Sequence, residues 1–174
     1  MGIWDSVRST VDKVTGNSAN ISLEADAGNV HPGQTVNVRI AVKNGLSALE
    51  ARAVLLEIES IETIDLPRYA NWVNVVEDVA AISNKGGAQQ HRTKPAATQH
   101  SDKTWSATVT VSPALLLAAG EEKKFQGTFR LPADVQPTYS GKYAKHFWRM
   151  RARLDVFGTD PSTPWYTFRV VGGA

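Results

Sequence analysis

The run QTVNVRIAVK at residues 34–43 alternates so strictly that it restricts the backbone to one conformation. Val36, Val38, Ile40 and Val42 take every second position, with Asn37, Arg39 and Lys43 among the intervening residues. A helix would scatter those four apolar side chains around its circumference, whereas a strand puts them on one face. The same period recurs along the chain. ISLEAD sets Ile21, Leu23 and Ala25 against Ser22, Glu24 and Asp26, and AVLLEIES sets Val54, Leu56 and Ile58 against Glu57 and Glu59. TWSATVTV offers Trp105, Ala107, Val109 and Val111, KKFQGTFRL offers Phe125, Gly127, Phe129 and Leu131, and WYTFRVV closes the chain as a further strand. Turn residues separate these runs, among them NVHPG after the first strand and Asn44–Gly45, where positive φ is tolerated. Half-buried strands joined by such turns predict an all-β fold, an antiparallel immunoglobulin-like sandwich of two facing sheets.

With 174 residues the chain has room for one domain and a sizeable core. Hydrophobic residues make up 42% and charged residues 21%, too apolar a balance for a disordered chain. There is no cysteine, which excludes disulfides, thiolate metal sites and thiol nucleophiles, and suits a cytoplasmic location. No run reaches the ~20 apolar residues of a membrane span, and MGIWDSVRSTVDK has no signal-peptide core.

Two segments break the rhythm. Over residues 1–17, Ile3, Trp4, Val7, Val11 and Val14 recur at helical spacing, which predicts a short N-terminal amphipathic helix ending near Gly16. The single sandwich domain then spans 18–174, interrupted at about 61–103 by a long insertion or loop whose polar part is 83–103. MGIWDS also fits the short myristoylation pattern, for which chance is the default explanation.

From Leu115 onward, LLLAAGEEKKFQGTFRLPADVQPTYSGKYAKHFWRMRARLDV resembles the arrestin family. The likeness lies in a Gly-Glu turn, a strand with spaced phenylalanines, an LP…PTY-x-G connection and a long strand ending in A-x-L-D-V. HPGQTVNVRIAV is similar to that family's early turn and strand. The resemblance implies a single arrestin-type sandwich with an adaptor or scaffold role and no catalysis. Independently of it, Pro132 and Pro137 remove two ladder donors, so the connection they bracket leaves one strand and can carry the chain between sheets.

The long strand poses the functional question. Lys142, Lys145, Arg149, Arg151 and Arg153 fall close together with no acid among them, although the chain carries only 19 basic against 17 acidic residues. On one parity lie Ala144, His146, Trp148, Met150, Ala152, Leu154 and Val156, and on the other Lys145, Phe147, Arg149, Arg151, Arg153 and Asp155. The candidate interaction face is therefore Lys145, Arg149, Arg151 and Arg153, four cations spread over about 27 Å at ~3.4 Å per residue. Cross-strand pairing with Glu57 and Glu59 is the plainer use of such a face. The sharper one is a ladder of bidentate donors for phosphate, carboxylate or an acidic peptide. A net charge of +2 supplies little counterion release and argues against nucleic acid.

Other candidates are weaker. His91 and His100 flank a polar loop but match no metal-ligand spacing, and His31 is isolated. His146 falls on the apolar face, where packing or hydrogen bonding is its ordinary use. GxSxG, GxxxxGK[ST], HExxH and GxGxxG are all absent, and acidic pairs such as Glu121–Glu122 occur on any soluble surface. The expectation is thus a non-enzymatic protein-interaction module with no cofactor, no metal and no membrane span. The alternative is a ligand-binding sandwich for an acidic or glycan ligand, using the cationic face or Trp72 and Trp165. An edge strand or the N-terminal helix is the expected route to any homo-oligomer.

Overall fold

The computed structural model describes residues 19–66 and 98–172. The proposed N-terminal helix, the myristoylation pattern, His91 and Trp72 lie outside them. Two sheets face each other. The smaller has the order β1–β3–β7, from β1 (Asn20–Ala25), β3 (Thr35–Lys43) and β7 (Glu122–Arg130). The larger has the order β2–β10–β9–β4–β5, from β2 (Asn29–Val30), β10 (Tyr166–Val170), β9 (Ala144–Val156), β4 (Leu49–Leu66) and β5 (Thr98–Ser112). Two short strands complete it: β6 (Leu115–Leu117) on β4 and β8 (Tyr139–Ser140) on β9.

The alternating residues do what their period requires. Val36, Val38, Ile40 and Val42 of β3 are buried against Leu56 and Ile58 of β4 and Trp148, Met150, Ala152 and Leu154 of β9, in one continuous core. Each such aliphatic side chain contributes roughly 1.5–3 kcal/mol when fully withdrawn from water. Gly127 of β7 permits a close approach of the sheets, because a Cβ there would stand 3.0 Å from Val111 and 3.4 Å from Val38.

Three local expectations are corrected. The sandwich is not purely antiparallel, since Asn29 and Val30, read as part of a turn, form β2 and pair in parallel with Arg169 and Val170. That places the chain on the large sheet for two residues between two strands of the small one. At the Asn44–Gly45 corner Gly45 does not adopt positive φ, which among the described glycines is found at Gly33, Gly120 and Gly158. The Asn44 amide, 4% exposed, holds the corner: it donates to the carbonyls of Ser47 and Ala118 at 2.7 and 2.8 Å, and its Oδ1 accepts the Gly45 N–H. Finally, residues 61–66 and 98–103, the ends of the expected insertion, are strand: β4 and β5 pair through Leu66 and Thr98. The polarity of 98–103 goes with β5's place at an edge of the large sheet among the described residues, whereas 61–66 extend the inner strand β4.

The Pro-rich connection does carry the chain from the small sheet to the large one. Leu131 at its start is fully buried, Gly33 donates to the Pro132 carbonyl, and Thr138 donates to the Val170 carbonyl.

Candidate functional site

Register decides what the cations meet. β9 pairs antiparallel with β4 so that Arg151 lies opposite Glu57 and Arg149 opposite Glu59. The even residues of β9 face the core, which turns the odd ones to the other side of the large sheet.

There they form a bonded lattice. The Arg149 guanidinium grips Glu59 through Nε at 2.7 Å and through Nη2. Arg151 Nε donates to Glu57 at 2.6 Å, and Arg153 Nε to the other Glu57 oxygen at 2.8 Å. Arg153 also reaches Asp160 through Nη1, and Asp160 in turn accepts the Val156 N–H at 3.1 Å. Lys103 of β5 closes on Glu59 from the opposite side at 2.6 Å. Over the lattice lies Trp165, with the Arg149 and Arg151 guanidinium carbons 4.4 and 4.5 Å from its ring centroid.

The pairs are not loose surface contacts. The Glu59 side chain is 6% exposed, while those of Arg149, Arg151 and Arg153 retain 26–31%. Burial pushes the Glu59 carboxyl up, but hydrogen bonds from Lys103 and Arg149, with their charges, outweigh it and hold it below its ordinary value of 4.5. Burial likewise opposes ionisation of Asp160, and the Val156 N–H and Arg153 more than offset it, so this carboxyl is also held down.

Of the four residues expected to share a face, the structure brings Arg149, Arg151 and Arg153 into one network. Lys145 lies beyond it, opposite Thr63 and exposed. The sequence reading missed Lys103, Asp160 and Trp165 as members. Arg169 also faces this side, because its neighbours Phe168 and Val170 are buried. No local pattern marks these residues, since each arrives from a different strand or loop. His100 pairs with Asp102 at 2.8 Å, and no cluster of metal-ligating side chains occurs among the described residues.

No protein-family model matches the chain, and a search of curated proteins found no match. A solved structure does match: Spo0M, a sporulation control protein from Bacillus subtilis, at 19% sequence identity and a TM-score of 0.57. The superposition covers 90% of this chain and 50% of that one, so this chain spans about half its length. Together with the two-sheet topology this decides the architecture. The fold is arrestin-like. At this identity the likeness carries the arrangement of strands and not the residues of any site. In this arrestin-like sandwich the lattice occupies the solvent side of the large sheet. No helix among the described residues is long and apolar enough to cross a membrane.

Proposed function

We propose that this chain is a non-catalytic protein-interaction module, an adaptor or scaffold of arrestin-like type working in the cytoplasm. Its contact surface is the solvent side of the large sheet, with Lys145, Arg149, Arg151 and Arg153 as the face that meets an acidic segment of a protein partner. One observation carries the reading. In the bonded lattice four cations, Lys103, Arg149, Arg151 and Arg153, meet three carboxylates, Glu57, Glu59 and Asp160. Lys145 extends the cationic row at one end, and Asp155 closes it at the other.

The lattice therefore keeps a surplus of positive charge while its guanidiniums are held in place. Pre-positioned guanidiniums lose little rotamer freedom on binding, and their remaining N–H groups suit carboxylates. The glycan alternative gains less support, because Arg149 and Arg151 cover part of the Trp165 ring on which a sugar would stack. Pairing with a second copy would use β5, the longer of the two strands at the edges of the large sheet among the described residues.

The test is binding of a Glu/Asp-rich peptide to the wild type and to the double variant Lys145→Gln, Arg151→Gln. Saturable binding that weakens as salt shortens the Debye length below ~8 Å, and that falls at least tenfold in the variant, supports the face. Equal binding by both proteins at equal stability removes it.

A further inference from the structure

At one end of the sandwich, between β5 and the connection after β7, lies a cavity of about 230 Å³. Ser60, Thr104, Trp105, Asp134, His146 and Trp148 are among the residues that line it, and none of these belongs to the arginine lattice. The volume is below the roughly 300 Å³ at which drug-sized sites begin, so it suits a side-chain-sized group.

The polarity of its inner wall follows from one carbonyl. His146, 1% exposed, has Nδ1 3.0 Å from the Pro137 oxygen, which can only accept. In the neutral imidazole the proton is therefore on Nδ1 and Nε2 offers a lone pair. Thr104 Oγ1, 3.2 Å from Nε2, donates to it, and Ser60 Oγ, 2.7 Å from Thr104 Oγ1, donates in turn to that oxygen. The Trp148 indole N–H is spent on the Gln136 carbonyl at 3.0 Å. In that arrangement the hydrogens of Ser60, Thr104, His146 and the Trp148 indole are committed, and the lone pairs still open are those of the Ser60 and Thr104 oxygens. Around them stand the indoles of Trp105 and Trp148, with centroids 5.2 Å apart, and Asp134 is exposed at the rim. Tyr139 stacks on His146 at 5.7 Å and its hydroxyl donates to Glu62, which fixes the ring from behind.

Hydroxyl acceptors, indole π faces and a carboxylate at the rim describe a site for a cation that brings its own hydrogens. We propose that this cavity binds an aliphatic ammonium group, either a free alkylamine or a lysine side chain presented by a peptide. An ammonium seated there donates to the Ser60 oxygen and to Asp134, and places its charge against the indoles. For an anion the Asp134 charge and the hydroxyl lone pairs are repulsive.

The test uses the full chain at pH 8. n-Butylammonium, a lysine-containing extended peptide and butyrate are titrated separately, following the indole N–H signal of Trp148 and the ring signals of His146 by NMR. Saturable shifts with the cations and none with butyrate are expected. Asp134→Asn, at an exposed position, and Trp105→Leu, with its folding verified by thermal melting because the indole packs on the core, should each weaken cation binding about tenfold. Tighter binding of the peptide than of butylammonium identifies the side-chain source, and equal or weaker binding identifies the free amine. Binding of butyrate in preference to butylammonium, cation affinity unchanged in both variants, or no saturable shift with either cation would overturn the proposal.

Discussion

One strand, β9, builds two surfaces that hold by different physics. Its inner side presents Trp148, Met150, Ala152 and Leu154, all at most 1% exposed, to the opposing sheet. Its outer side presents Arg149, Arg151 and Arg153 to carboxylates of the neighbouring strand. The inner side is stabilised by area taken from water, which is non-directional and survives approximate packing. The outer side depends on specific partners: ion pairing offsets the cost of desolvating Glu59 only while those partners are present. Removing a residue inside therefore costs in proportion to the volume lost, and removing one outside costs according to what it leaves unpaired.

The largest effect belongs to the inner side. Trp148→Ala should lower stability by about 3–5 kcal/mol, through lost burial and a cavity against Trp105 and Phe168. Urea denaturation measures it, and a cost under 1 kcal/mol would deny the core its place.

On the outer side Arg149→Ala should cost about 3 kcal/mol, the low end for breaking a buried pair, because Lys103 remains on Glu59. Replacing both partners, Glu59→Leu with Arg149→Met, should return stability to within about 1 kcal/mol of wild type. A double variant as unstable as the single one would mean that the two sides of β9 do not differ in kind.

Gly127→Ala probes the seam between sheets. The new methyl would press on Val111, with an expected loss of about 1–3 kcal/mol by equilibrium unfolding.

Acid should separate the two sides without mutation. Glu59 and Asp160 are held below their ordinary values of 4.5 and 3.8, so their contribution is complete above those values. It is lost as pH falls through the folded-state values. Urea midpoints should therefore fall on acidification below about pH 4.5, and less steeply in Glu59→Gln. The smallest effect is expected at Lys145→Ala, within about 0.5 kcal/mol by thermal melting, since this exposed lysine stands outside the lattice.

Period-two alternation, written in residues such as Val36 to Val42 and His146 to Val156, determined the strands, their inward faces and so most of the core. It also determined that Lys145, Arg149, Arg151 and Arg153 share a side, because alternation depends only on neighbours in the chain. Only the tertiary structure decided the partners. Glu59 meets Arg149 across 90 residues of chain, and a register slip of one position would have turned every outward arginine of β9 inward. Lys103, Asp160 and Trp165 joined the lattice from separate elements, and the Pro137 carbonyl set the polarity of the His146 cavity. Such meetings depend on how strands pair and sheets stack. No local pattern encodes them, because the free energy that selects them comes from burying the whole core at once.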